Sequence, residues 1–145
     1  MKKLISSFLT FSIAITAMAQ IRVAAPDFEM ILFAEEGDDL CINYFGSRLS
    51  DADFKNYESA GVPWQDAYPT YGIYTNAERA LSVIHSDGGL STSLKVESIN
   101  QREEESATVT VIRMKDTAYP FYVNVFYRAS HDVNMIETWT EIENR

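Results

Sequence analysis

From Phe28 onward, apolar and polar residues alternate with a period of two in short runs broken by turn residues. Phe28–Ala34 and Leu40–Gly46 predict two strands, and Glu35-Glu36-Gly37-Asp38-Asp39 predicts the hairpin turn between them. Ala80–His85 predicts a short strand, closed by the turn signal Ser86-Asp87-Gly88-Gly89. Leu94–Ile99 predicts another. The last third alternates most clearly, in Thr108–Met114, Phe121–Arg128 and Val133–Ile142. In the second of these, Phe121, Val123, Val125 and Tyr127 share one face; the third is partly apolar on both faces. Long strands packed on both faces predict an all-β fold of two large antiparallel sheets rather than a small barrel. A closing strand of this kind calls for a neighbour and a covering sheet, so the pattern predicts a truncated domain.

The alternation lapses from Ser47 to Thr75, a long interval for a loop inside one domain. Aromatic residues crowd this region. Residues 44–74 hold Tyr44, Phe45, Phe54, Tyr57, Trp64, Tyr68, Tyr71 and Tyr74, so the loop must pack on something. Pro63 and Pro69 bias the residues before them to extended geometry, and Gly72 permits a backbone shape that other residues avoid. A loop stiffened in this way loses little entropy on binding a ligand. The residues alone leave two readings open: a recognition loop, or aromatics that cap the end of a sandwich.

The N-terminus reads as an address. Lys2 and Lys3 precede the apolar run Leu4–Ala14, which is short for a bilayer span, and Ala17-Met18-Ala19 before Gln20 has the form of a signal-peptidase site. Residues 1–19 are therefore predicted to be a signal peptide and residues 20–145 an exported domain, periplasmic or secreted, with no membrane insertion after cleavage. Loss of Lys2 and Lys3 takes the net charge from −9 to −11. Such an acidic chain repels phosphate backbones and anionic lipid, which argues against nucleic acid as a partner. Cys41 is the only cysteine, so no internal disulfide is available, and it reads as a small buried hydrophobe.

Other polar clusters read as structural. Asp38 and Asp39 are turn residues. Asp51-Ala52-Asp53-Phe54-Lys55 starts like a calcium loop, but Lys55 takes a ligand position, so no metal site is predicted. His85, Ser86 and Asp87 are contiguous, whereas a hydrolytic triad gathers from separate segments; His85 is read as a strand residue with an ordinary hydrogen bond. Arg102-Glu103-Glu104-Glu105 is read as a solvated link. No cofactor is implied.

Tyr68-Pro69-Thr70-Tyr71-Gly72, followed by Ala80-Leu81-Ser82-Val83, resembles the N-terminal domain of glycoside hydrolase family 36, the bacterial α-galactosidases. Phe121–Tyr127 and Ile136-Glu137-Thr138-Trp139-Thr140 resemble that family's long strands. The resemblance implies a β-supersandwich whose Tyr-Pro-x-Tyr-Gly region approaches the mouth of a (β/α)8 barrel and helps to shape its sugar pocket. It also implies that both catalytic aspartates, which act with retention, lie in that barrel, outside residues 21–145. Catalytic residues are thus expected to be absent here. The implied partners are an α-galactoside and a barrel domain, with homo-oligomers in full-length relatives. Trp64, Asp66, Tyr71, Thr75 and Asn76 are the implied sugar-contacting candidates, as a stacking surface and a hydrogen-bonding edge. Where many members carry an acidic residue, this chain has Thr75.

Two other readings compete with an accessory domain of an exported α-galactosidase. One is a free-standing exported sugar-binding module. The other is an interaction domain of the cell envelope, favoured if the loop aromatics are buried. Mass spectrometry of the exported protein should find an N-terminus near Gln20; retention of Met1 or Lys2 would contradict the signal-peptide reading.

Overall fold

The computed structural model describes residues 19–57, 65–72 and 78–145. Among the described residues, eight strands form two antiparallel sheets. The first contains β1 (Ala19–Ala24), β2 (Phe28–Ala34), β3 (Cys41–Ser47) and β4 (Gln65–Asp66), in that spatial order. The second contains β5 (Leu94–Glu103), β6 (Ala107–Asp116), β7 (Phe121–Ser130) and β8 (Ile136–Asn144). The antiparallel sandwich expected from the alternation is what forms.

The main core lies between the sheets. Ile21, Val23, Leu32, Ala34 and Leu40 face Leu94, Val96, Ile112, Met114, Val123, Val125, Tyr127 and Ala129. β7 shows the two-residue period directly: Phe121, Val123, Val125, Tyr127 and Ala129 are buried, while Tyr122, Asn124, Phe126 and Arg128 are half-buried on the outer side. β2 is buried continuously from Met30's neighbour Ile31 to Ala34 because both its faces are covered. Leu32 and Ala34 point into the core, whereas Ile31 and Phe33 join Cys41 beneath Tyr44, Leu49, Phe54 and Tyr57.

That second cluster corrects the reading of residues 47–75 as wholly irregular. A short helix, α1 (Asp51–Lys55), forms there, with the Ser50 hydroxyl accepting from the Asp53 amide at 3.1 Å. Its signal was present in Ser50 and Asp53, though with no run long enough to show a 3.6-residue period. An ion pair holds this segment on the sheet. Glu29 on β2 is fully buried; one carboxylate oxygen binds the Arg22 guanidinium and the other accepts from the Leu49 amide at 3.0 Å. Arg22 also donates to the Leu49 carbonyl and to Asp51 (2.6 Å), and lies 5.0 Å from the Phe54 ring centroid.

Four further boundaries differ from the sequence reading. β1 was not anticipated, because Ile21 and Val23 follow directly on the presumed signal segment. Ala80–His85 joins neither sheet among the described residues: Leu81 and Val83 pack on the core and Ser82 and Ile84 face outward, so two-residue alternation arises without a ladder. β8 begins at Ile136, because Val133 and Met135 lie in the preceding turn. Arg102 and Glu103 extend β5 instead of belonging to the link. The hairpin at 35–39 forms as expected, with Gly37 at φ 89°.

Removing Arg22 alone strands a buried carboxylate. Arg22→Met should therefore cost about 3–5 kcal/mol in urea unfolding, and adding Glu29→Leu should restore much of that loss. A single-variant cost below about 1 kcal/mol would show that the pair does not anchor the segment.

Candidate functional site

The Tyr-Pro-x-Tyr-Gly loop is fixed from beneath by its own side chains. β4 pairs with β3 at Cys41 and Ile42, and the Ala67 amide donates to the Leu40 carbonyl at 2.9 Å. Asp66 then turns the chain: its Oδ1 accepts from the Tyr68 amide at 2.8 Å, two residues on. Burial raises the Asp66 carboxyl above its ordinary range, against the lowering effect of that amide. Neighbouring Cys41 is buried, and burial together with Asp66 pushes its thiol up to about 11, so it is unreactive near neutrality. Tyr68 is only 8% exposed and belongs to the main core.

Beyond Tyr68 the loop is bracketed by Thr92. The buried Thr70 hydroxyl donates to the Thr92 carbonyl at 2.6 Å, and the Thr92 amide donates to the Tyr71 carbonyl at 3.0 Å. The Ala80 amide donates to the Pro69 carbonyl at 2.8 Å. Gly72 has φ 102°, and a Cβ there would sit 3.2 Å from the Ser91 Cβ. The backbone shape therefore favours glycine at the close of the motif, and a Cβ would crowd Ser91.

Thr92 is in turn held by His85, whose Nε2 lies 3.2 Å from the Thr92 hydroxyl. The buried His85 ring stacks on Tyr119 at 3.6 Å and 7°, with Phe121 edge-on at 6.1 Å. The Tyr119 hydroxyl donates to Asp87 at 2.9 Å, and the other Asp87 oxygen accepts from the Gly89 amide at 2.8 Å. The Gly89 amide and the Tyr119 hydroxyl hold the Asp87 carboxyl below its usual range, and the same bond raises the Tyr119 phenol. Buried Asp116 braces the facing turn by accepting from the amides of Ser93, Ala118 and Tyr119.

What this scaffold presents outward is narrow. Tyr71 is 37% exposed, with the Arg79 guanidinium 4.3 Å from its ring centroid. Ile84 and Leu90 are exposed on the neighbouring turn. An aromatic face, a cation and apolar edges are binding chemistry.

The five sequence candidates separate. Tyr71 is accessible. Asp66 is half-buried and engaged in the turn, so its placement fits shaping the loop better than touching a ligand. Trp64, Thr75 and Asn76 lie outside the described residues. Sequence reasoning missed Thr92, Tyr119, Asp87 and Arg79. Only the turn signal around Asp87 pointed to any of them. His85 does make the ordinary hydrogen bond expected of it.

The architecture is that of an antiparallel β-sandwich domain. Residues 38–145 match the glycosyl hydrolase family 36 N-terminal domain, and the chain belongs to that family. No curated protein matches the sequence. Among solved structures, a variant family 36 α-galactosidase of Geobacillus stearothermophilus in complex with raffinose is similar at 18% identity and TM-score 0.69, over 87% of this chain and 22% of that one. A second α-galactosidase of the same organism gives 18% identity and TM-score 0.71, over 92% and 22%. The α-galactosidase of Lactobacillus brevis gives 12% and 0.66, over 84% and 21%. At these identities the likeness is one of fold. The chain spans about a fifth of the length of these enzymes.

The lowered Asp87 carboxyl contributes stability that is present above the unfolded carboxylate range and is lost as pH falls through its folded value. Tyr119→Phe removes one of its donors. Asp87 should then titrate at higher pH in carboxyl-detected NMR, and the variant should lose less stability than wild type on acidification. An unchanged Asp87 titration would show that the Tyr119 bond does not form in solution.

Proposed function

We propose that this chain is the N-terminal sandwich of an exported α-galactosidase, with the Tyr68–Gly72 loop forming part of the rim of the sugar pocket. The family match over residues 38–145 carries this reading. In it, hydrolysis of terminal α-galactosides with retention is performed by two carboxylates of a barrel domain, one as nucleophile and one as acid/base. The sandwich supplies position. Tyr71 offers its ring and Arg79 its guanidinium to the hexose, with Trp64, Thr75 and Asn76 completing the edge and Asp66 fixing the turn. The Thr70–Thr92–His85 bracket keeps Tyr71 in place, so little ordering entropy is lost when sugar binds.

The accessibility of Tyr71 also favours a second reading, a free-standing exported sugar-binding module. The two differ in what Tyr71 needs beside it. As a rim it contacts sugar productively only with a barrel present, whereas as a module it binds alone.

The test is to read the gene in frame beyond this segment for a barrel with two aspartates at strand ends, and to assay the assembled enzyme. Tyr71→Ala should raise KM for p-nitrophenyl α-galactoside about tenfold, roughly 1.4 kcal/mol of binding, with kcat little changed. The 145-residue chain by itself should not hydrolyse it. Turnover by the chain alone, or an assembled enzyme indifferent to Tyr71, would overturn the rim reading.

A further inference from the structure

A cleft of about 440 Å³ opens at the end of the sandwich opposite Tyr68–Gly72. The loop sits beside the start of β5 and the end of β6; the cleft sits where β5 and β7 end and β6 begins, a strand length of about 30 Å away. One wall is small and apolar, made of Ala24, Ala25 and Pro26. The others carry Arg48, Gln101, Glu103, Thr108 and His131. Arg22 also reaches the cleft, but its charge is matched by Glu29 and Asp51.

The polar groups are partly ordered already. Gln101 donates to the Arg22 carbonyl (3.2 Å) and to the Thr108 neighbour Thr110 (3.0 Å). The Thr108 hydroxyl lies 2.9 Å from Glu103 and 3.0 Å from the His131 Nε2. Arg48 is different: it is exposed, and its guanidinium has no ion-pair or hydrogen-bond partner among the described residues. It faces a cleft whose carboxylate, Glu103, accepts from the Thr108 hydroxyl and lies 3.4 Å from the His131 Nε2 through the same oxygen, leaving its second oxygen open to a ligand.

We propose that this cleft binds a neutral sugar ring, one or two hexose units in size. The volume lies in the range of small-ligand sites. A hydroxylated ring is donor and acceptor at every position, so it can use an unpaired guanidinium and a carboxylate together, while its C–H face lies on Ala24–Pro26. A dianion would gain Arg48 but meet Glu103. A nucleobase or other flat aromatic ligand would want a broad ring to stack on; no Phe, Tyr or Trp lines the cleft, and the His131 imidazole there is engaged by Thr108 and Glu103. Planar polar side chains around a small apolar wall favour the polyol.

The probe is raffinose added to the folded, isotope-labelled chain, with inorganic phosphate in a parallel titration. Raffinose should shift the backbone amides of Gln101, Glu103, Thr108 and His131 with a Kd of about 1 mM. Arg48→Ala and Glu103→Gln, both surface changes, should each weaken that binding about tenfold. The proposal is overturned if raffinose leaves those amides unmoved, if both variants bind as wild type does, or if phosphate moves them and raffinose does not. Shifts confined to residues 68–72 would also overturn it, while supporting the loop as a module. The loop's role as a pocket rim is read separately, from the effect of Tyr71→Ala on KM in the assembled enzyme.

Discussion

Every polar atom of Thr92 is engaged. Its amide holds the Tyr71 carbonyl, its carbonyl holds the Thr70 hydroxyl, and its own hydroxyl meets His85. Thr70, Thr92 and His85 are all buried, so none of these groups can turn to water when a partner is lost. That constraint gives the family motif its form. Tyr68 must be large because it fills the core, Thr70 must reach Thr92, Gly72 spares Ser91 a crowding Cβ, and only Tyr71 is left to face outward. A motif that looks like a binding signature is thus mostly a device for placing one ring.

Much of the fold was legible because alternation reports burial, and burial here follows strands. β2, β6 and β7 announce themselves in this way. The failures have the same physical source. Leu81 and Val83 alternate because they lie along the core, in a segment that joins neither sheet among the described residues. Helix α1 buries no residue of its own and is held by Arg22, Glu29 and its Ser50 cap, so it leaves no periodic trace. Most of the described aromatics of the 44–74 region do cap the sandwich: Tyr44, Phe54 and Tyr57 cover one sheet and Tyr68 enters the core.

Of the site, the sequence revealed the loop but not its support. Tyr119 and His85 are far apart in sequence and stack only because β7 brings its start beside the turn at 86–89. No local signal carries that. Asp66 illustrates the converse, a side chain legible in the sequence whose local use was not. A carboxylate near an aromatic loop suggests ligand contact, but two residues before Tyr68 it has a nearer use as the acceptor that closes the turn.

Strand β8, at the edge of its sheet among the described residues, shows how far the alternation rule reaches. Residues paired with the buried side of β7 are Ile136, Thr138, Thr140 and Ile142, yet Ile142 is 52% exposed. Among the described residues the first sheet meets the second chiefly where β1 faces β7, and of β8 it is Ile136 that packs on the core. The opposite face of β8 carries Glu137, Trp139, Glu141 and Glu143; Trp139 stacks on Phe126, and Arg128 and Arg113 neutralise Glu137 and Glu143. A fully overlapped antiparallel pairing with a second copy of this strand would set Glu137 opposite Glu143, each already paired with an arginine of its own sheet. The half-exposed Ile142 side of the strand is the side that alternation expects to be covered, while the charged side is largely satisfied within its own sheet.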